Sequence, residues 1–100
     1  MAGNFLFLED METTPEFWDK YEGALRALFY EEEGSYGYYA GGTLCLRVGE
    51  DIAAASPRSV VNKGAPDEVK RLMGELYLHN KTPGHAYWTL ALTLSKGELT

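Results

Sequence analysis

One β-hairpin decides the fold of this chain, and its sequence is SYGYYAGGTLCLRV over residues 35–48. Two strand-like runs, residues 35–40 and 43–48, flank Gly41 and Gly42. A two-residue turn needs positive φ angles, which glycine adopts without steric cost. The pattern therefore predicts two antiparallel strands joined by the glycine pair.

The length of this turn sets which side chains face each other. Tyr38 pairs with Cys45 and Tyr36 pairs with Arg47, and all four lie on one face of the hairpin. The opposite face is apolar, so we expect it to cover the core; it carries Tyr39, Leu44, Leu46 and Val48.

Helices are predicted on both sides of the hairpin. Residues 14–31 carry an apolar stripe at three- and four-residue steps. The stripe follows Thr13-Thr14-Pro15-Glu16, a capping-box pattern with an early proline, and Gly34 is expected to end this helix. A second helix begins at Pro66-Asp67-Glu68, where the helix dipole favours acidic residues. The stripe residues are Phe17, Trp18, Tyr21, Leu25, Leu28 and Phe29 in the first helix and Val69, Leu72, Met73, Leu76 and Tyr77 in the second.

Two further strands complete the predicted sheet. Residues 4–8 are apolar on both faces of a strand. Along residues 86–94, large apolar side chains occupy every second position, as expected for a strand with one buried face. Residues 49–65 are irregular, and we expect a long loop there, with or without a short helix. The resulting order is β-α-β-β-α-β, a ferredoxin-like α+β fold. It places two helices on one face of an antiparallel sheet, in a single domain over residues 1–100.

This arrangement leaves one face of the sheet open. The first strand is apolar on both sides, so we expect the 49–65 loop, a second copy of the chain or a partner to cover that face. The open face would carry Tyr36, Tyr38, Cys45, Arg47, Tyr87, Thr89 and Thr93.

The whole net charge of −6 belongs to the first third of the chain. Residues 1–34 hold nine acidic and two basic side chains, a balance of −7, while residues 35–64 contribute +1 and residues 65–100 are neutral. A surface of one sign attracts basic partners and repels phosphate-bearing ones. We therefore expect a protein partner with a basic surface and no direct binding of nucleic acid, whose affinity depends on cationic contacts.

Few residues suggest catalysis, a metal or a cofactor, and we predict none of the three. Cys45 is alone and lies mid-strand, which excludes an internal disulfide and fits a reducing compartment. His79 and His85 lack the repeated spacing of zinc ligands. No signal-peptide pattern and no apolar run of about 20 residues is present, so we expect a cytoplasmic protein without membrane contact.

Three functional hypotheses follow. The first is a small acidic protein that occludes a basic site on a partner, as an inhibitor, an immunity factor or a nucleic-acid-mimicking decoy of the kind mobile elements encode. Its tyrosines would anchor the contact, because tyrosine buries a large rigid surface and keeps a polar tip. The contact residues would be Glu9, Asp10, Glu12, Glu16, Asp19, Tyr30, Glu31, Glu32, Glu33, Tyr36 and Tyr38.

The alternative uses the open face instead of the acidic residues. A ferredoxin-like homodimer would bind a small ligand, or act as a small enzyme, through a pocket that includes Cys45, Arg47, Tyr87 and Thr89. The third hypothesis is a structural subunit whose charge serves only solubility.

Overall fold

The structure is a computed structural model that describes residues 4–40, 42–80 and 93–94. Within residues 4–80 the order of elements is β-α-β-β-β-α-α, with a short 3₁₀ turn, Leu8–Asp10, after the first strand. The elements are β1 (Phe5–Phe7), α1 (Pro15–Phe29), β2 (Gly37–Ala40), β3 (Thr43–Val48), β4 (Asp51–Ala55), α2 (Pro57–Asn62) and α3 (Asp67–Asn80).

The four strands form one mixed sheet in the order β1-β4-β3-β2. The predicted hairpin is confirmed, with Tyr38 opposite Cys45 and Ala40 opposite Thr43. The prediction of an all-antiparallel sheet is wrong, because β1 runs parallel to β4 while the other pairs are antiparallel. The α+β class holds, and helix α1 connects the two edge strands of the sheet.

Strand β4 lies in the stretch that the sequence pattern assigned to a loop. A second two-residue turn, with Gly49 at φ 65°, brings Asp51 opposite Val48 and starts the strand. Its residues Ala53, Ala54 and Ala55 have low intrinsic β propensity. They are nevertheless extended and buried, because β1 and β3 pair with them on both sides. Tertiary pairing overrides local preference here.

The predicted fourth strand over residues 86–94 falls almost entirely outside the described residues. Residues 86–92 lie outside the described residues, while Thr93 and Leu94 are described and have helical backbone. Since residues 51–55 supply the fourth strand, the described residues do not follow the β-α-β-β-α-β order of the ferredoxin-like fold.

The helices bury their stripes against one face of the sheet, as predicted for α1 and α3. The core joins Leu44 and Leu46 of β3 to side chains from all three helices. Gly37 of β2 allows α1 to pack closely against the sheet, because a Cβ at that position would lie 2.8 Å from a methyl group of Leu28. From the helices the core includes Trp18, Tyr21, Leu25, Val60, Val69, Leu72, Met73, Leu76 and Tyr77.

Local capping differs in detail from the sequence pattern. Thr14, not Thr13, caps α1, and its hydroxyl accepts a hydrogen bond from the Phe17 amide at 3.0 Å. Glu16 is then the second helical residue, one position short of the capping-box site, so α1 has a one-sided cap. The reciprocal box occurs instead at α2, between Ser56 and Ser59.

Two buried tyrosines of the core differ in how their hydroxyls are satisfied. The Tyr77 hydroxyl donates to the Gly42 carbonyl at 2.5 Å, which ties α3 to the β2–β3 turn. The Tyr21 hydroxyl is fully buried and has no hydrogen-bond partner among the described residues. An unsatisfied buried hydroxyl costs about 1–3 kcal/mol, whereas a typical satisfied one contributes about 1 kcal/mol.

We therefore predict opposite effects for two matched substitutions. Tyr21→Phe should raise the free energy of unfolding by about 1 kcal/mol, because it removes the unpaired polar atom. Tyr77→Phe should lower it by about 1 kcal/mol, because the Gly42 carbonyl loses its donor. Urea denaturation of both variants measures the difference. A loss of stability in Tyr21→Phe as large as that in Tyr77→Phe would show that Tyr21 has a partner in solution.

The same buried phenols predict a loss of stability at high pH. Burial raises the pKa of Tyr39 from 10.0 to about 12 and raises the pKa of Tyr21 still further. The folded protein thus keeps protons that the unfolded chain releases above about pH 10. The free energy of unfolding should therefore have its full value below pH 10 and decline as the pH rises toward 12. The limiting slope is about 1.4 kcal/mol per pH unit for each such tyrosine.

Thermal unfolding at pH 9 and pH 11.5 measures this decline. In Tyr39→Phe the drop between the two pH values should be smaller than in the wild type, whatever the variant's stability at pH 9. An equal drop in both proteins would mean that Tyr39 titrates normally.

Candidate functional site

The sheet face opposite the helices carries most of the exposed aromatic surface. Two rows of side chains cross all four strands on this face, because the strand register aligns them. One row is Phe7, Ala54, Cys45 and Tyr38; the other is Phe5, Ile52, Arg47 and Tyr36. We call these eight residues the aromatic face.

The large side chains of the aromatic face belong to the edge strands. Phe5, Phe7, Tyr36 and Tyr38 are 50%, 51%, 49% and 41% exposed, and they are four of the five exposed large hydrophobic residues that the structure describes. Phe5 and Phe7 meet edge to face at 5.5 Å between ring centroids, and Tyr36 and Tyr38 meet at 5.7 Å. Each edge therefore presents a preformed aromatic pair.

In the row of Phe7, Ala54, Cys45 and Tyr38, the two central side chains are small and buried. Cys45 and Ala54 are each only 3% exposed. The pKa of the Tyr38 hydroxyl is raised above its usual value, first by interaction with the Cys45 thiol and then by lost hydration. Cys45 is therefore packed beneath the exposed aromatic side chains.

Arg47 is the one charged side chain on the aromatic face. Its guanidinium donates a hydrogen bond to the Gly34 carbonyl at 2.8 Å. This contact holds the connection between α1 and β2 beside the β2 edge of the face. The connection contains residues 31–33, all exposed glutamates, which we call the acidic turn.

A second acidic group borders the opposite edge. Glu9 follows β1 in the 3₁₀ turn and lines a hollow of about 170 Å³ with Phe7 and Ala54 of the aromatic face and with the neighbouring Thr43. Asp10 is its exposed neighbour. Acidic residues thus stand at both edges of the aromatic face.

The remaining predicted contact residues lie elsewhere. Glu16 and Asp19 are exposed on α1, and Glu12 precedes that helix. The 15 residues of α1 extend about 22 Å, so Glu16 and the acidic turn are at opposite ends of the helix. Tyr30 is 62% exposed at the end of α1, where its ring contacts that of Phe29. The predicted residues therefore form separate groups instead of one acidic surface.

Part of the negative charge of α1 is neutralised locally. Arg26 binds Glu22 at 2.8 Å and reaches Glu68 of α3 at 3.3 Å. Arg71 binds Glu68 at 2.6 Å and Glu75 at 2.8 Å, and its hydrogen bond is the main cause of a lowered pKa at Glu68. This partly exposed network joins α1 to α3, so Glu22 serves the fold.

The alternative pocket is only partly within the described residues. Cys45 and Arg47 share the aromatic face, whereas Tyr87 and Thr89 lie outside the described residues. His85 lies outside them as well. Among the residues that the structure describes, no three His, Cys, Asp or Glu side chains are arranged to hold a metal ion.

Sequence reasoning missed two members of the aromatic face. Ile52 and Ala54 lie on β4, which was assigned to a loop. The signal that could have found them is Gly49-Glu50, a glycine-led two-residue turn after a strand.

No protein-family model matches the chain, and neither does any curated protein or solved structure. No helix in the described part of the chain is long and apolar enough to cross a membrane.

The acidic turn begins with a strained residue. Glu31 has φ 56°, and the amides of Glu31 and Glu32 donate to the carbonyls of Leu28 and Ala27 at 3.1 and 2.8 Å. This is a Schellman motif, in which the left-handed position usually belongs to glycine. The predicted helix stop, Gly34, comes three residues later, so α1 ends earlier than the glycine suggests.

We predict that Glu31→Gly stabilises the protein by about 0.5–1 kcal/mol, because glycine adopts this φ without a Cβ clash. Glu31→Gln removes the same charge but keeps the side chain, and it is the matched control. Chemical denaturation of both variants separates the two effects. Equal stability of the two variants would show that backbone strain at residue 31 is negligible.

Proposed function

We propose that this protein binds a partner protein that has a basic surface, and that the aromatic face is the contact. The observation that carries the proposal is the grouping of Phe5, Phe7, Tyr36 and Tyr38 on one open face, with Glu9 and the acidic turn at its two edges. Binding would occlude a basic site, as an inhibitor, immunity factor or nucleic-acid-mimicking decoy does.

The aromatic side chains would supply most of the affinity. Aromatic residues dominate the energetics of protein interfaces because they bury a large rigid area at a small entropic cost. Two of the four, Tyr36 and Tyr38, also offer hydroxyl groups to a partner. A contiguous apolar patch rimmed by polar residues is typical of an interaction site. These properties favour a protein surface as the ligand.

The acidic residues at the edges would set partner choice and association rate. Rim charges change the association rate and its salt dependence more than they change the dissociation rate. The same charges disfavour phosphate groups, so direct binding of nucleic acid to the aromatic face is not proposed. Because the single cysteine, Cys45, is buried and unpaired, we place the interaction in the cytoplasm, a reducing compartment.

A second copy of the chain is the competing occupant of the same face. Seven of the eight residues of the aromatic face are uncharged, and a pairing of two copies would bring one Arg47 from each copy to the contact. This is the homodimer hypothesis, now without a ligand pocket, and size-exclusion chromatography with light scattering tests it directly.

We predict that a basic protein captured by the wild-type chain is lost by the double variant Phe5→Ser, Phe7→Ser. The rate at which the partner dissociates from this variant should be at least tenfold higher than from the wild type, because two aromatic anchors are removed. The control is Tyr30→Ser, which removes the most exposed aromatic residue outside the aromatic face and should leave dissociation unchanged. Surface plasmon resonance with the purified partner measures both rates.

The charge contribution needs its own variant. Replacing Glu31, Glu32 and Glu33 together by glutamine should slow association and flatten its salt dependence, with little change in dissociation.

Capture that survives the Phe5 and Phe7 substitutions would overturn the proposal. A wild-type dimer that the same substitutions convert to a monomer would assign the aromatic face to self-association instead.

A further inference from the structure

A separate cleft opens on the helix side of the sheet. It has a volume of about 510 Å³ and lies between the first turns of α1 and the β3–β4 turn. This volume is within the range of about 300–1,000 Å³ that is typical of ligand sites. The cleft shares no residue with the aromatic face, so that face does not account for it.

The floor of the cleft is apolar and its rim is charged. Phe17 of α1 and Val48 and Ala53 of the sheet form the floor, together with Met11. The charged lining residues are Glu16, Lys20, Glu50 and Asp51. A long aliphatic side chain with a charged head would match both parts, because its stem contacts the floor while the head reaches the rim.

The charges of the rim favour a cation. Three carboxylates face one ammonium group, and no ion pair within the described residues involves Glu16, Lys20 or Glu50. Asp51 already accepts a hydrogen bond from the Asn4 amide at 3.0 Å through one oxygen, which fixes its carboxylate at the cleft. The acidic side chains thus keep hydrogen-bonding capacity at the cleft.

We infer that this cleft receives an arginine side chain from the partner protein; the inference rests on the proposed function and names a second contact for it. A guanidinium group is planar, stacks on aromatic rings and pairs with carboxylates through two hydrogen bonds. Phe17 supplies the ring, and Glu16 and Glu50 supply carboxylates. A lysine side chain would gain the charge interaction without the stacking.

A hexa-arginine peptide tests this site without the partner. Isothermal titration calorimetry at low salt should show that the peptide binds the wild-type chain. Its affinity should fall at least threefold in Glu50→Gln. It should strengthen in Lys20→Gln, because the competing cation of the cleft is removed. Hexa-lysine should bind more weakly than hexa-arginine.

Two control variants match these charge changes outside the cleft. Asp67→Asn removes an exposed carboxylate and Arg58→Gln removes an exposed cation. If either control changes the affinity as much as its cleft counterpart, the peptide responds only to net charge and the inference fails. The same result follows if Glu50→Gln and Lys20→Gln leave the affinity unchanged.

The design also separates this inference from the proposed function. Peptide binding should be unaffected by Phe5→Ser, Phe7→Ser, since those residues lie on the other face of the sheet. A partner that needs the aromatic face while the peptide ignores the cleft would retain the proposed function and overturn only the arginine site.

Discussion

The pairing of β4 with both β1 and β3 is the constraint on which the other features depend. The β1 strand has three residues, and within the described chain its only strand partner is β4. Since β4 and β3 stand between β1 and β2, helix α1 must cross beneath the sheet from one edge strand to the other. That crossing places the stripe of α1 over β3, and no helix of residues 4–80 lies on the opposite face of the sheet.

The alanines of β4 make this arrangement possible. Ala53 and Ala55 enter the core, while Ala54 lies on the aromatic face. In the row of Phe7, Ala54, Cys45 and Tyr38, the small central side chains leave the large aromatic ones to the two edges, where solvent reaches them. The aromatic face thus follows from a packing requirement of the central strand. Exposed aromatic surface of this kind is typical of interaction sites.

How much the sequence could predict depends on which forces act locally. The hairpin over residues 35–48 and the stripes of α1 and α3 follow from turn chemistry and periodicity, and these agree with the final packing. Strand β4 could not be predicted in the same way, because alanine has no local preference for a strand and one of its two partner strands, β1, is distant in sequence. Glu31 shows the same effect, since the Schellman motif imposes a φ that glutamate avoids. The acidic residues were identifiable by composition, but their grouping depends on the path of α1.

The position of those charges relative to the sheet bears on how a partner would be held. Glu9 and the acidic turn border one face, whereas Glu16 and Glu50 line a cleft on the other. A partner that contacts only the aromatic face would leave the cleft empty. It would interact with Glu16 and Glu50 mainly through long-range electrostatic attraction. A partner that also places an arginine in the cleft would reach around the edge of the sheet at β1. Such a two-sided contact would make dissociation depend on both the phenylalanines and Glu50, and because the two sites share no residue, their effects should add in a double-mutant cycle.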